Sequence, residues 1–388
     1  MRNFILQIPT KIYFGDDQMG HLKEELRKYG TNVLLVYGGG SIKKTGLYDR
    51  IAKEVEEAGM TLYELGGIEP NPRHTSVNKG ADMCREYGID VVLAAGGGST
   101  IDAAKMISAA ACYGGDCWDL VTGKAPIERV LPLVTILTIA ATGSEMDKTS
   151  VISNLDLNKK KGCSSPLFYP KASFLDPTNT FTVSPYQTAC GAADILSHTM
   201  ETYFCREEGM LFTDTVMEGL MRTVIRCAPV AMKEPDNYDA RANLMWTSSW
   251  AINGFVRAST PHPWSCHQIE HELSAYYDIT HGLGLAIVTP RYLRHFLSDK
   301  TVRRYYEFGV YVFGIDASLP EYEVAEQAIE RLEEFLFETL GLTDNLTDLG
   351  ITDEHFEAMA ESVAGERPHP GFVDMTKEDI VEILYACL

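Results

Sequence analysis

The chain has 388 residues, of which 54 are acidic and 34 basic, so its formal net charge is −20 and its sequence pI is about 4.9. So acidic a chain lacks the basic patches that bind nucleic acids or anionic membrane surfaces, and we predict neither partner. The length fits two domains of about 100 to 200 residues each, and nine cysteines without CxxC spacing predict reduced thiols in the cytoplasm rather than a disulfide framework.

The N-terminal stretch, residues 1–15, contains a short apolar run that Gln7 and Pro9 interrupt. A signal peptide has a longer apolar run followed by a cleavage site with small residues. We therefore predict strands here rather than a signal peptide.

A first glycine turn follows the apolar run at 33–37, which predicts a buried strand. Glycines allow backbone N–H groups to approach an anion closely, so the turn predicts part of a cofactor-binding loop. The residues of this loop are Gly38, Gly39, Gly40 and Ser41.

A second glycine turn lies between the apolar run at 91–95 and an alanine-rich segment with helical periodicity. Strand, glycine turn and helix in this order place backbone N–H groups and the positive end of a helix dipole around one anion, as a pyrophosphate requires. The turn contains neither a GxGxxG fingerprint nor a Walker loop, and an ordinary tight turn is the alternative. The residues predicted to bind are Gly97, Gly98 and Ser99.

The residues after the first turn bear on the choice of dinucleotide. In doubly wound sheets, an Asp or Glu at the corresponding place often holds the ribose 2′-hydroxyl of NAD. This sequence has Lys43 and Lys44 instead, which permits a 2′-phosphate, so we predict NADP(H) in preference to NAD(H). Alternatively, both lysines are solvated residues at the start of a helix.

A third candidate loop follows the apolar run at 131–139, which is too short to span a bilayer. Thr138 and Thr142 lie at its end. Their hydroxyls could line a cofactor, or they could cap backbone groups, which is the commoner role of threonine in loops.

The pattern changes near residue 184. Up to that point, strand-like apolar runs alternate with helical segments and glycine turns, which predicts a Rossmann-like α/β domain with a parallel sheet over residues 1–184. From 185 to 388 the pattern is mostly helical, for example at 322–341, where a glycine ends the helix. A last helix starts near Thr376 with a capping-box-like sequence. The second half, residues 185–388, is therefore predicted to be an all-α domain.

Four side chains in that second half predict a metal site. Asp194 and His198 are four residues apart in a segment with helical periodicity, so they lie on one helix face. The other two are His267 and His281. His281 lies in a Thr-His-Gly-Leu-Gly stretch, where a glycine-flanked break could turn its imidazole back toward the preceding helix. Four of the ten histidines fall within residues 262–281. Three imidazoles and one carboxylate suit Fe(II), Zn or another first-row metal better than Ca or Mg.

His271 is four residues after His267. It could support a metal ligand or face the substrate, or it could be simply a polar residue on the same helix face.

The segments that carry these residues are GGGSTIDAAK at 96–105, LTIAATGSE at 137–145, DILSH at 194–198 and HQIEHELSAYYDITHG at 267–282. With these segments in this order, the chain resembles the iron-containing, or group III, alcohol dehydrogenases over nearly its whole length. Within that family it resembles the butanol dehydrogenase and NADPH-dependent aldehyde reductase branch.

The resemblance implies that Asp194, His198, His267 and His281 bind one Fe or Zn ion. It implies that Gly97, Gly98 and Ser99 hold the cofactor pyrophosphate, that Asp102 lies near the nicotinamide, and that Thr138 and Thr142 border the adenine and diphosphate. It also implies a homodimer that reduces short-chain aldehydes, such as butanal, to primary alcohols with NAD(P)H.

We accordingly predict a metal-dependent alcohol dehydrogenase or aldehyde reductase, with Asp102 and His271 as candidates for catalytic roles. Either a water on the metal, the ribose hydroxyls or His271 could supply the proton. A lyase like dehydroquinate synthase, which also uses a metal and NAD, is one alternative; its anionic substrate requires several cationic residues, and the site segments offer mainly Arg206 and Arg257. A nucleotide-sensing metalloprotein without turnover is the other.

Overall fold

The computed structural model describes residues 2–258, 260 and 264–388, so His262 of the histidine-rich segment lies outside the described residues. The chain forms two compact units. The α/β unit comprises Gln7–Val183 and Pro235–Asn253, and the helical unit comprises the residues before Gln7, Ser184–Glu234 and Gly254–Leu388.

The α/β unit contains all eight strands that the described residues form. The strands are β1 Lys11–Phe14, β2 Asn32–Tyr37, β3 Thr61–Leu65, β4 Val91–Gly96, β5 Leu133–Leu137, β6 Thr149–Asn154, β7 Lys159–Ser164 and β8 Ala172–Leu175. Its helices are α1 Leu22–Leu26, α2 Ser41–Lys44, α3 Leu47–Glu57, α4 His74–Glu86, α5 Gly98–Tyr113 and α6 Cys117–Val121, together with α9 Tyr238–Ile252 from later in the chain.

Six of these strands form one parallel sheet in the order β1-β8-β5-β4-β2-β3. Without the edge strand β1, the order of the other five in chain sequence is 2-1-3-4-5, a doubly wound arrangement. The direction of winding reverses between β2 and β4, which pair directly through Val33↔Val91 to Tyr37↔Ala95. Sheets of this kind bind ligands outside the carboxyl ends of the strands at the reversal, so the fold directs attention to the loops after Tyr37 and Gly96.

Apolar side chains fill both faces of the sheet. Alternate residues of a strand point to opposite faces, so Leu34 and Val36 of β2 lie in one hydrophobic core and Val33 and Leu35 in the other. All four are fully buried, and burial of one such side chain contributes about 1.5–3 kcal/mol. Burial on both faces explains why the strands are continuous apolar runs rather than alternating ones.

The helical unit contains eight α-helices among its described residues, and no strand. They are α7 Pro185–Tyr203, α8 Leu211–Lys233, α10 Cys266–Tyr277, α11 His281–Phe296, α12 Val302–Phe308, α13 Glu321–Glu333, α14 Phe356–Ala364 and α15 Lys377–Ala386. The capping box predicted at Thr376 is present at the start of α15, with Asp379 as its partner. No helix of the described chain is long and apolar enough to cross a membrane.

The predicted fold class is confirmed, since a parallel α/β sheet precedes a helical part. Three details differ from the sequence-based expectations. Residues 2–10 form no strand and β1 covers only Lys11–Phe14; Ile5 is 99% exposed, so it has no neighbouring strand to pack on. The segment Lys159–Ser164 pairs antiparallel with Thr149–Asn154 as a separate hairpin.

The third difference concerns α9, which was assigned to the second domain by its position in the chain. This helix packs on the α/β unit through Glu145, whose carboxylate accepts a 2.5 Å hydrogen bond from Ser249. Gly143 also lies against the Ser248 carbonyl so closely that a Cβ on Gly143 would be 2.5 Å from that oxygen. The residues before Gln7, in turn, belong to the helical unit.

Candidate metal centre and cofactor loops

The helical unit brings together the four predicted metal ligands. Asp194 and His198 lie one turn apart on α7, which starts at Pro185 after the N-cap Ser184. The Asp194 Oδ1 atom is 3.5 Å from His198 Nδ1, 3.9 Å from His267 Nε2 and 3.8 Å from His281 Nε2. Ligand atoms of Asp194, His267 and His281 all lie within 4.8 Å of one another, so one carboxylate oxygen is central to three imidazoles.

His281 reaches this cluster because α11 starts close to α7. The turn before it is made by Asp278, which adopts φ 52°, and not by a glycine as the sequence suggested. Gly282 and Gly284 lie inside α11 instead. A Cβ on Gly282 would be 2.0 Å from the carbonyl oxygen of Cys190 in α7, so this glycine permits the close helix contact that places His281 beside Asp194.

Two buried carboxylates that the sequence analysis missed orient two of the imidazoles. Glu201 Oε1 is 2.5 Å from His267 Nδ1, and Glu270 Oε2 contacts His281 Nδ1. A carboxylate at Nδ1 keeps the proton on that nitrogen, which leaves the Nε2 lone pair directed at the cluster. Both Nε2 atoms do face Asp194.

The burial and the unsatisfied nitrogens of the cluster, among the residues that the structure describes, suit a cation. His198 is 4% and His267 5% exposed, and neither His198 Nδ1 nor His267 Nε2 makes a hydrogen bond within the described part of the chain. Leaving such an atom unsatisfied costs about 1–3 kcal/mol. Burial, with the neighbouring rings of His267 and His281 in second place, lowers the pKa of His198 well below its usual value, and neutral imidazole is the form that binds a metal. The donor set therefore fits one divalent first-row metal.

His271 lies at the edge of this cluster. Its ring centroid is 6.3 Å from that of His267 and 5.7 Å from that of His281, and the residue is half-buried. Glu270, His271 and His281 also have ligand atoms within 4.8 Å of one another, but Glu270 already contacts His281 Nδ1. This arrangement favours one metal position around Asp194 rather than two.

The two arginines considered for an anionic substrate are both in contact with other groups. Arg206 pairs with Asp374 at 2.6 Å, and the guanidinium of Arg257 lies 3.8 Å from the ring centroid of Trp264. Each guanidinium is therefore already engaged by a protein group, which disfavours the lyase alternative.

The α/β unit contains the predicted cofactor loops at the reversal of its sheet. Gly97 is the N-cap of α5, a helix of 16 residues. A Cβ on Gly98 would lie 2.3 Å from the Thr142 side chain, and one on Gly97 would lie 3.3 Å from Ile139, so the loop after β5 covers the start of α5 closely. Ser99 is in the first turn of α5, where backbone N–H groups lack helical partners and suit a phosphate.

The other predicted loop residues extend this surface. Gly38, Gly39, Gly40 and Ser41 follow the end of β2, and a Cβ on Gly39 or Gly40 would meet nothing within 4 Å, so this turn borders open space. The Thr138 amide donates to the Gly96 carbonyl at 3.1 Å. Thr142 Oγ1 accepts a hydrogen bond from the Ser144 amide at 3.2 Å, which is the capping role that was the alternative to cofactor contact.

Both carboxylate oxygens of Asp102 accept hydrogen bonds. Oδ1 accepts from Ser144 Oγ at 2.5 Å and Oδ2 from the Val151 amide at 2.9 Å. Desolvation raises the pKa of Asp102 to about 6, although Lys105 opposes the change. These contacts anchor the loop at Ser144 to α5, and the role of Asp102 near a nicotinamide stays a prediction.

Comparison with known proteins identifies the family. Residues 9–177 match the family model for iron-containing alcohol dehydrogenase, and residues 188–388 match its C-terminal model. The chain belongs to the iron-containing alcohol dehydrogenase family. The family and the enzyme class that the motifs predicted, an NAD(P)-dependent alcohol dehydrogenase or aldehyde reductase, are thereby confirmed.

Individual relatives fit the same branch. The chain is 48% identical to NADH-dependent butanol dehydrogenase A of Clostridium acetobutylicum, over 99% of each chain. It is 36% identical to the NADPH-dependent aldehyde reductase YqhD of Escherichia coli, over 94% of this chain and 93% of the relative. The crystal structure of a butanol dehydrogenase from Thermotoga maritima superposes with a TM-score of 0.94 at 35% identity, covering 100% of this chain and 99% of the other. Relatives named for NADH and for NADPH both match, so family membership supports the coarser prediction, an NAD(P) cofactor with a divalent metal.

The spacing of Glu201 in the sequence indicates its position beside the predicted metal ligands, although the sequence analysis did not include it. Glu201 is seven residues after Asp194 and three after His198, so it continues the same face of α7. Its own partners lie 64 to 66 residues further along the chain, and no local pattern indicates them. Glu270, three residues after His267 on α10, has the same kind of spacing.

Proposed function

We propose that the protein reduces short-chain aldehydes such as butanal to primary alcohols, and catalyses the reverse reaction, with NAD(P)H and one Fe(II) or Zn ion. The observation that carries this proposal is the convergence of three imidazoles on Asp194, two of them oriented by buried carboxylates, in a chain of this family. When bound, the metal polarises the aldehyde carbonyl and the reduced nicotinamide supplies hydride.

The chain's own residues provide the positioning. The ion would be held by Asp194, His198, His267 and His281. Glu201 and Glu270 keep a proton on Nδ1 of His267 and His281, so the tautomers of these two ligands are fixed. Gly97, Gly98 and Ser99 would hold the pyrophosphate at the start of α5, and Gly38 to Ser41 with Thr138 and Thr142 would line the rest of the dinucleotide.

We further propose NADP(H) as the preferred cofactor, because two cations, Lys43 and Lys44, follow the first glycine turn and a single carboxylate, Glu64, pairs with Lys43. His271 is proposed to pass the proton, because its ring is half-buried beside His281 and histidine titrates near neutral pH. Replacing His271 with Gln should then displace or flatten the alkaline limb of the rate–pH profile for aldehyde reduction, where a protonated donor is lost, more than it changes metal content.

A cytoplasmic homodimer completes the proposal. All nine cysteines are free thiols, which suits a reducing compartment. Strand β1 is the edge of the six-stranded sheet, and an edge strand is open to pairing with another chain. Light scattering of the purified protein tests the dimer.

The test of activity follows the absorbance of NADH and NADPH with butanal. Metal-stripped protein is reconstituted with Zn, with Fe(II) under anaerobic conditions, or with no metal. Oxidation of either cofactor that depends on the metal supports the proposal and ranks the ions and cofactors. Folded, metal-loaded protein that oxidises neither cofactor would refute it.

Site variants locate the activity. Replacement of Asp194 with Asn should lower both metal content and aldehyde reduction, because it weakens the oxygen on which three imidazoles converge. Glu333→Gln is the matched control, since Glu333 is a carboxylate of the same unit whose partner is Arg294 at 2.5 Å. Equal metal content and equal rates in the two variants would show that the site is assigned wrongly.

A further inference from the structure

Beside the first glycine turn, the α/β unit contains a compact charged cluster formed by Tyr37, Lys43, Tyr48 and Glu64. Tyr37 is the last residue of β2, Lys43 lies in α2 directly after the turn, and Glu64 lies near the end of β3, which pairs with β2 through Leu35↔Glu64. All of these elements lie at or next to the sheet reversal, where a doubly wound fold recognises the adenosine end of a dinucleotide.

Glu64 accepts three hydrogen bonds in this cluster. Oε2 accepts from Lys43 Nζ at 3.0 Å and from Tyr37 hydroxyl at 3.0 Å, and Oε1 accepts from the Tyr48 hydroxyl. The same ammonium lies 5.1 Å from the ring centroid of Tyr37 and 4.5 Å from that of Tyr48. The Lys43 charge is therefore held by one carboxylate and two aromatic faces.

The position of the cluster is fixed by packing. Tyr37 is 8% exposed, and its ring fills the space beside Gly66, where a Cβ would lie 2.5 Å from a ring carbon. The Lys43 and Glu64 side chains, in contrast, are 46% and 35% exposed. A buried tyrosine thus supports a charge pair that a ligand at the turn can reach.

We propose that the Lys43–Glu64 pair sets the preference between a ribose 2′-hydroxyl and a 2′-phosphate, with Glu64 restraining the charge of Lys43. This inference rests on the proposed function and names a specificity-determining carboxylate within it. A 2′-phosphate gains attraction from Lys43 and meets repulsion from Glu64, so the pair contributes little net preference. Without the carboxylate, the lysine charge acts on the phosphate uncompensated.

The test is a binding measurement that needs neither metal nor turnover. Adenosine 2′,5′-bisphosphate and adenosine 5′-monophosphate are titrated into the full-length protein by calorimetry, and the ratio of their association constants is the readout. Glu64→Gln should raise this ratio by roughly three- to tenfold, and Lys43→Met should lower it. High salt should shrink both changes, because screening weakens exposed charge interactions.

Two control variants and one further binding measurement test whether the change in the ratio comes from the Lys43–Glu64 pair. The double variant Glu64→Gln/Lys43→Met should return to about the wild-type ratio, because it removes one attractive and one repulsive charge. Glu57→Gln removes a carboxylate paired with Lys23 at 2.7 Å and should leave the ratio unchanged. Dissociation constants of NADPH and NADH from fluorescence titration should follow the same ranking.

An unchanged ratio in folded Glu64→Gln protein overturns the inference, and so does a double variant whose ratio stays as high as that of Glu64→Gln alone. If Glu64→Gln does not fold, Lys43→Met still tests the inference. The Lys43 side chain is 46% exposed, and an unchanged ratio in this variant would show that the pair does not set the preference. Failure of the proposed oxidoreductase is distinguishable, since the wild type would then bind nucleotides but not oxidise NADH or NADPH with butanal.

Discussion

The carboxylate of Glu201 offers the sharpest test of how the metal centre is held. Oε2 accepts hydrogen bonds from the amides of Ser265 and Cys266, and Oε1 accepts from the amide and the Nδ1 atom of His267. One side chain of α7 therefore caps the N-terminus of α10 and orients a proposed metal ligand on it. Burial by itself would raise the pKa of Glu201, but His267 and the backbone donors lower it below its usual value.

The size of the effect follows from these contacts. Alanine at position 201 leaves three amides of Ser265, Cys266 and His267 without their acceptor, at about 1–3 kcal/mol each, so the free energy of unfolding should fall by roughly 3 kcal/mol or more. Glutamine retains one acceptor oxygen but places an NH2 group on the other side. If that group faces Nδ1, the ring proton moves to Nε2, the atom that would bind the metal, and affinity should fall by about 10- to 100-fold.

Two measurements check this. Urea unfolding of the metal-free variants gives stability, and competition with a chromophoric chelator gives Zn affinity. Glu272→Gln is the matched control, because Glu272 is a 7% exposed carboxylate on α10, the helix that Glu201 caps, and accepts from Ser362 at 2.8 Å. Glu201→Gln with the Zn affinity of the wild type would refute the orienting role, whereas equal losses in both variants would attribute the effect to general destabilisation.

Three further outcomes are expected. Desolvation raises the pKa of the fully buried Glu145 from 4.5 to about 7, with Ser249 opposing the change. The folded state therefore retains a proton that the unfolded chain loses, so stability should fall as pH rises from about 4.5 to 7 and level off above that. Glu145→Gln should be more stable than wild type by up to about 3 kcal/mol at pH 8 in urea unfolding. Gly282→Ala would place a Cβ 2.0 Å from the Cys190 carbonyl oxygen and so push α11 away from α7. The melting temperature and the metal content should both fall. Gly98→Ala, which meets Thr142 at 2.3 Å, should weaken NADH binding in fluorescence titration while metal content stays near that of the wild type.

Local patterns predicted the parts of the molecule whose partners are close in sequence. The strands at the sheet reversal are short apolar runs that end in glycine turns, and both appear within a residue of their predicted bounds. The Asp194–His198 pair depends only on helical periodicity. The transfer of α9 to the α/β unit depends on tertiary contacts such as Ser249 with Glu145, 104 residues apart, so it did not follow from composition or spacing. The β6–β7 hairpin is local in sequence, but Lys159–Ser164 shows no alternation of apolar and polar residues that would indicate a strand.

The predicted cofactor preference also depends on a contact between strands that the sequence does not indicate. From the sequence, Lys43 counts as a free cation beside the turn, and the prediction of NADP(H) depends on that count. In the structure its ammonium is paired with Glu64, 21 residues further along on the neighbouring strand. A pair contributes almost no net field at a distance larger than its own separation, so Lys44 would be the uncompensated charge of the two. Cofactor choice in this enzyme should therefore depend less on how many lysines follow the turn than on how firmly β3 holds its carboxylate.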